Sequence, residues 1–393
     1  MAITLPRASF YADHCGAKLE DLPIVDKQRT LADFAAFNTR SLSLDAATLA
    51  AEHGSKRDDD LSFGLSSGTR GPRGVFVTSA RERARWAGIL LARTLSPALL
   101  GILLFRRAPL RVAFFLRANS GLYRTLQGRR IDFRFFDLMQ AVDGHLPALQ
   151  SLQPEVLVAP ASVLAWLAEQ SLAGRVTLAP KRVISVAEVL EVEDAARITL
   201  AFCRPVHQLY QCTEGFLAST CELGTLHLNE EFVHIEPEWL DAAKTRFTPI
   251  VTDFTRTTQL IVRYRLDDVL RSRTSPCPCG RITRAIDAIE GRADEILWLR
   301  STDDQVVAVF PDTLRHMLTI KGASTGDYRL EQHASVLWLA TRDGDPKGFA
   351  TMCAALDEGF AAFGLRPPEW RQTTFVDWAP GDKRRRIRCV SRT

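Results

Sequence analysis

From Leu61 to Phe202, short apolar runs alternate with longer stretches of helical period. The runs Leu61–Leu65, Gly74–Thr78, Leu110–Leu116, Ile131–Phe136, Val156–Ala159 and Arg182–Val186 predict strands. Ser79–Phe105, a segment opening at Leu122, Gly144–Leu152, Val163–Gln170 and Val192–Phe202 predict the helices between them. Such alternation implies an α/β fold with a largely parallel sheet, whose ligands sit on loops at the carboxyl ends of the strands. Beyond Phe232 the pattern turns strand-rich, at Val233–Pro237, Thr248–Asp253, Gln259–Tyr264 and Val269–Ser272. A last block predicts strands at Gln305–Val309, Tyr328–His333, Ser335–Ala340 and Arg371–Val376, with a helix over Asp345–Gly364 that Asp345 caps and Pro346 opens. That block reads as a small α+β domain. The expected boundary lies near Gly291–Asp294, giving a large domain over 1–293 and a small one over 294–393. The first sixty residues read as helical and polar, ending in the charged run Ser55–Asp60.

Composition narrows the class. The chain has 393 residues, 46% hydrophobic and 24% charged, which excludes a mainly disordered protein. Its formal charge of +4 is concentrated at one end, where Lys383, Arg384, Arg385, Arg386, Arg388 and Arg392 face Asp382 alone. The rest of the chain is close to neutral, so a globally basic, nucleic-acid-coating protein is excluded. The longest apolar stretch, Trp86–Phe105, is interrupted by Arg93 and Pro97, well short of the roughly 20 residues that a membrane span needs. Met1–Cys15 has no apolar core of signal-peptide length, and the eight cysteines are expected to be reduced in a cytoplasmic protein.

Five segments carry chemistry. Ser66-Ser-Gly-Thr-Arg-Gly-Pro-Arg73 places small, hydroxyl-bearing and glycine residues between two predicted strands. Backbone N–H groups around Gly68 and Gly71, the hydroxyls of Ser66, Ser67 and Thr69, and the charges of Arg70 and Arg73 suit a polyphosphate. The Walker pattern, Gly-Lys followed by Ser or Thr, is absent. Ala187 and Glu188 follow a strand and can present backbone to a flat ring. Tyr210-Gln-Cys-Thr-Glu214 sets the Thr213 hydroxyl beside the Glu214 carboxylate, a pairing able to hold a phosphate and its Mg²⁺. The strand around Tyr264 ends in Asp267 and Asp268, acceptors for ribose hydroxyls, and Gly291-Arg-Ala-Asp294 offers a further sugar or phosphate contact.

In this order Ser66–Gly74, Tyr210–Glu214, Tyr264–Val269, Gly291–Ile296 and the terminal Gly381-Asp-Lys-Arg-Arg385 resemble the motifs of the adenylate-forming superfamily of acyl-CoA synthetases and carrier-protein adenylation domains. Within it they are most similar to phenylacetate–CoA ligases and the related capsule-biosynthesis and deazaflavin-adenylylating synthetases. The resemblance runs from about Leu22 to Lys383. It implies a large adenylate-forming domain with parallel sheets and a mobile α+β lid. It assigns the phosphate loop to Ser66–Gly74, the α-phosphate to Thr213, Mg²⁺ to Glu214 and the ribose to Asp268. Arg292 then takes a nucleotide contact, Asp294 the hinge and Lys383 the catalytic amine. Arg70 stands where the family commonly has a second Thr, Arg73 near its usual Lys, and Gln211 and Asp267 replace glycines.

The activity so implied is ATP-dependent activation of an organic acid, aromatic or otherwise hydrophobic, as acyl-AMP, followed by transfer to a thiol of CoA or a carrier protein. Transfer to an amine, or a catalytically weak nucleotide- or acyl-binding homologue, are the alternatives, and a homodimer is allowed. Neither nucleic acid nor a membrane span enters this reading.

One feature stands apart. Cys277-Pro-Cys279 can present two thiolates to one metal, and Cys221 with His227 supplies two more ligands for a closed Cys₃His zinc site. The competing reading is a turn of reduced, partly buried thiols. His207, just before Tyr210, lies where an acyl pocket would sit. Phe114, Phe115 and Phe133–Phe136 read as core strand residues, the alternative being that part of either group lines an acyl pocket.

Overall fold

The computed structural model describes residues 4–14, 16–53, 60–65, 74–116, 126–320, 327–377 and 385–392. The chain forms two compact units, Met1–Leu266 with Ser272–Ala288, and Asp267–Arg271 with Ile289–Thr393.

In the first unit, β1 (Leu61–Leu65) and β2 (Val75–Ser79) pair antiparallel. The main sheet opens with five parallel strands: β3 (Leu110–Leu116), β4 (Ile131–Asp137), β5 (Val156–Ala159), β6 (Arg182–Ser185) and β7 (Val206–Gln211). Their spatial order is β4-β3-β5-β6-β7. Alternation along each strand divides the core between the two faces. Ala113, Phe115, Leu157, Ala159 and Val183 join Leu164, Leu167 and Ala168 of the helix Ala161–Leu172. Val112, Phe114, Val156, Val158 and Ile184 join Leu99 of the helix Pro97–Phe105. Burial on both faces is why these strands read as continuous apolar runs. The expected core role of the phenylalanines holds, with the Phe115 and Phe136 rings stacked at 4.6 Å.

The sheet then changes direction. β8 (Phe216–Thr220) returns antiparallel to β7, β9 (Leu226–Leu228) follows, and β10 (Val233–Trp239), β11 (Arg246–Asp253) and the short β12 (Tyr264–Arg265) pair antiparallel in turn. β13 (Asp268–Ser272) and β14 (Ala285–Arg292) span the two units in sequence, and the start of β14 pairs with β9 through Ala285 and His227.

The second unit has a two-stranded ribbon, β15 (Leu297–Arg300) with β16 (Val306–Val309). Its four-stranded sheet has β17 (Tyr328–His333) and β18 (Val336–Thr341) at the centre, flanked by β20 (Ile387–Ser391) and β19 (Glu369–Gln372). Leu314, Met317 and Leu318 of one helix and Met352, Leu356 and Phe360 of the other cover it. Asp345 caps the helix Pro346–Ala362, as its sequence predicts.

Several expectations are corrected. Ser79–Phe105 is two helices, Ala80–Thr94 and Pro97–Phe105, because Ser96 caps a second start and Pro97 occupies its first position. Gln259–Tyr264 is strand only from Tyr264; Gln259 instead uses its side chain on β2, as described below. The strand placed at Arg371–Val376 runs earlier, over Glu369–Gln372. The first sixty residues are less polar in effect than in composition, since Leu5, Tyr11, Leu22, Val25, Phe34 and Phe37 are buried. The basic tail is in part a strand: Ile387 is buried, and Arg386 and Arg388 pair with Asp327 and Glu331 at 3.0 and 3.5 Å. Among the described residues no helix is long and apolar enough to cross a membrane.

Glu155, at the amino end of β5, gathers Arg106 at 2.6 Å, Lys181 at 2.9 Å and Arg111 at 3.8 Å. The Arg106 hydrogen bonds outweigh burial and hold its carboxyl down at about 2. Glu155→Gln is expected to lower unfolding stability by about 2 kcal/mol, the scale of a charge-assisted hydrogen bond, in urea titration at neutral pH.

Candidate functional site

β7 and β8 form a hairpin whose tip carries the Tyr210–Glu214 segment. A register shift between Tyr210 and Gln211 re-aims the strand end. The Cys212 N–H then donates to the Gly215 carbonyl at 3.0 Å, closing a turn around Thr213 and Glu214. The Thr213 hydroxyl donates to Glu214 Oε2 at 2.7 Å. Gly215 packs closely on its neighbour: a Cβ there would stand 3.1 Å from Asp253 Oδ2. Behind the turn, Arg256 donates to the Thr213 carbonyl and faces Asp253 at 3.9 Å. Asp253 itself accepts from the Thr255 N–H and hydroxyl at 2.7 and 2.6 Å.

A buried carboxylate extends this framework to β2. Glu82, in the first turn of Ala80–Thr94, forms a capping box with Ser79. Glu82 Oε2 accepts from the Ser79 N–H at 2.6 Å and the Thr258 hydroxyl at 2.6 Å, and Oε1 from the Thr258 N–H at 2.9 Å. Burial pushes the Glu82 carboxyl up, but these donors outweigh it and hold the group below its ordinary range. Gln259 completes the attachment, accepting from the Val77 N–H at 3.0 Å and donating to the Val75 carbonyl at 3.2 Å, in the manner of a neighbouring strand. The end of β2 and the Thr213–Glu214 turn are thus tied to one loop, 253–259. The sequence reading missed Glu82, Asp253, Arg256 and Gln259; only the Ser79-x-x-Glu82 box was open to detection from local pattern.

Elsewhere in the first unit, Tyr210 is buried. Ala187, two residues beyond the end of β6, adopts φ +66°, a left-handed conformation. Glu188 Oε2 accepts from the Ser162 N–H at 3.0 Å, at the start of the helix Ala161–Leu172, so its carboxylate helps satisfy that helix end. The phosphate-loop candidates Ser66, Ser67, Gly68, Thr69, Arg70, Gly71 and Arg73, together with Lys383, lie outside the described residues.

The second unit brings together another group. Arg292 Nε lies 3.7 Å from Asp268 Oδ1. Arg385, two positions beyond Lys383, donates to Asp294 and, at 2.9 Å, to Glu295 Oε1. Burial would lower the Arg385 pKa, but these carboxylates raise it overall. Glu295 Oε2 accepts from the Arg292 N–H at 3.1 Å. Gly291, at φ +128°, leaves room for that carboxylate, because a Cβ would meet it at 2.2 Å.

The four cysteine and histidine candidates also converge. Cys221 follows β8, His227 lies on β9, and Cys277 and Cys279 lie on the loop before β14; their donor atoms are all within 4.8 Å of one another.

No protein family matches this sequence in a family scan, and no curated protein matches it. Solved structures do. The chain is similar to 2-hydroxyisobutyryl-CoA ligase in the postadenylation state with R3-HIB-AMP, at 16% identity and TM-score 0.64, covering 98% of this chain and 84% of that one. It is similar to the amide bond synthetase McbA from Marinactinospora thermotolerans, at 13% identity and TM-score 0.57, covering 81% and 66%. ATP-bound MatB from Rhodopseudomonas palustris matches at 14% identity and TM-score 0.55, covering 83% and 65%. The chain shares the fold of these enzymes.

In the first unit, His207 is enclosed by its neighbours. It is buried on β7, with Nδ1 3.2 Å from the Thr220 hydroxyl, beside the Arg182–Glu222 ion pair. Burial first, then the Arg182 charge, lower its pKa to about 4 against the opposing pull of Glu222. The unfolded chain therefore takes up a proton near pH 6.5 that the folded one refuses until about pH 4. Stability is lost as pH falls through that window, by up to about 3 kcal/mol. His207→Asn is expected to flatten the stability curve between these limits in denaturant titrations, leaving the steeper loss below about pH 4 that the carboxylates cause.

Proposed function

We propose that this chain activates an organic carboxylic acid, aromatic or otherwise hydrophobic, as acyl-AMP at the expense of ATP, and passes the acyl group to the thiol of CoA or a carrier protein. The observation that carries this reading is the Thr213–Glu214 pair, a hydroxyl 2.7 Å from a carboxylate at the tip of a braced hairpin. Support comes from neighbours of the same fold described as holding an acyl-adenylate or ATP.

The residues present fit the reactants. Mg²⁺ is commonly bound by one or two carboxylates together with substrate phosphate oxygens, and Glu214 supplies the carboxylate. When bound, Mg²⁺ neutralises phosphate charge. Thr213 turns its hydroxyl from Glu214 to an α-phosphate oxygen, while Arg256 holds the carbonyl of the same residue and so fixes the turn. Ser66, Ser67, Gly68, Thr69, Arg70, Gly71 and Arg73 take the β- and γ-phosphates. Ala187 and Glu188 border the adenine, and Tyr210 packs beneath it. Asp268 accepts from the ribose hydroxyls, and Arg292 makes the further nucleotide contact.

In the first half-reaction an oxygen of the acid attacks the α-phosphorus, the bond to the bridging oxygen breaks, and pyrophosphate leaves with the electron pair. Charge accumulates between two anions, so positioned cations and donors lower the barrier, Lys383 foremost. In the second, a thiolate attacks the acyl carbon and AMP leaves. A lid formed by the C-terminal domain turns about Asp294 between the two steps. An amine acceptor is the second reading, favoured by the amide bond synthetase among the neighbours.

Acid-dependent ATP–pyrophosphate exchange, screened over aryl, fatty and amino acids, tests the activity; no exchange with any acid class rejects it. Lys383→Ala is expected to lower exchange about 10²–10³-fold, the effect of losing one transition-state donor, with transfer from preformed acyl-AMP largely intact. Equal loss in both steps removes Lys383 from its role. Adding CoA or an amine to preformed acyl-AMP separates the two acceptors.

A further inference from the structure

The connection between β13 and β14, residues 273–284, has the sequence Arg-Thr-Ser-Pro-Cys-Pro-Cys-Gly-Arg-Ile-Thr-Arg. Its one large aliphatic side chain, Ile282, is 100% exposed, so hydrophobic burial does not hold this loop down. Its inward-facing groups are Cys277, buried, and Cys279, half-buried. They meet Cys221 and His227, each 1% exposed.

The spacing is that of ligands around one ion. Cys221 Sγ and Cys277 Sγ are 3.9 Å apart, far beyond the roughly 2.05 Å of a disulfide. Two thiolates bound tetrahedrally at a Zn–S distance of about 2.3 Å lie about 3.8 Å apart, and a thiolate and an imidazole nitrogen about 3.5 Å. Cys279 Sγ is 3.3 Å from His227 Nε2. The surroundings match as well. His227 Nδ1 lies 3.1 Å from the Thr283 carbonyl, which fixes the proton on Nδ1 and leaves Nε2 with its lone pair toward the sulfurs. The Arg281 N–H points at Cys279 Sγ from 3.5 Å, within a turn that Gly280 permits at φ +77°. Among the described residues the group is three sulfurs and one nitrogen, a closed, soft, tetrahedral set, which selects zinc over magnesium or calcium.

We propose that Cys221, His227, Cys277 and Cys279 bind one structural zinc ion. It fastens the 273–284 loop to the base of β8 and β9, the end of the β7–β8 hairpin remote from Thr213 and Glu214. Cys221 and Glu214 are seven residues apart along a hairpin arm that is largely extended, so the ion stands roughly 20 Å from the candidate catalytic pair and acts on fold alone.

Elemental analysis of the full chain, purified under reducing conditions without added zinc, is expected to give about one zinc per chain. Replacement by Co²⁺ should give the ligand-field absorption of a tetrahedral ion together with thiolate-to-metal charge transfer. A chelator that strips the ion should lower Tm and expose three further thiols to titration. Cys279→Ala should lose the ion, whereas His227→Cys should keep it and alter the cobalt spectrum as a four-thiolate site would. Because the first variant can fail to fold, the wild-type stoichiometry and cobalt spectrum decide. Folded wild-type protein with less than about a tenth of a zinc per chain and with these thiols free overturns the proposal. So does an oxidised cysteine pair, or an octahedral cobalt spectrum.

Discussion

The first unit depends on satisfying one buried negative charge. The Glu82 carboxylate has left water, a step that costs several kcal/mol for an ion unless charge or hydrogen bonds replace the solvent. Among the described residues, backbone and hydroxyl donors from Ser79, Thr257 and Thr258 do so rather than a cation. Each donor is fixed by its own backbone, so the carboxylate can be satisfied only if the start of a helix, the end of β2 and the loop 253–259 assume one arrangement. Arg256 and Asp253 belong to that loop, and through them the constraint reaches the carbonyl of Thr213. A local helix cap is in this way also the support of the hairpin tip.

The second unit solves a similar problem with opposite charges. Arg385 is largely enclosed, and two adjacent acids, Asp294 and Glu295, neutralise it. Glu295 is held from behind by the Arg292 N–H, in space that only a glycine at 291 leaves open. The residue assigned to the hinge and the strand that follows Lys383 are therefore joined by charge within one unit.

The Cys₃His cluster is a third way of fixing a polar connection. Carboxylate cap, buried ion pair and the proposed metal ligand set each join segments through polar groups. Each involves groups distant in sequence: Glu82 with Thr258, Arg385 with Asp294, and Cys221 with Cys277.

What the sequence made legible follows from the range of the forces involved. Strands such as Leu61–Leu65, Leu110–Leu116 and Val156–Ala159 were read to the residue because side-chain alternation and apolar runs are local, and the cap at Asp345 is local too. The break at Ser96–Pro97 was written in the chain and passed over in favour of a longer apolar period. Motif order brought Thr213 beside Glu214, since adjacency in sequence is adjacency in space. Arg256, Asp253 and Gln259 had no such signal: an arginine that braces a carbonyl 43 positions away looks like any surface arginine until the chain is folded. Gln259 looked like strand, yet the same polar residue became a partner for another strand's backbone. The sequence by itself determined where most strands and helices lie and which chemical groups are available. The tertiary structure alone decided which of those groups meet, because burial, and the need to pair every polar group it removes from water, are properties of the folded chain.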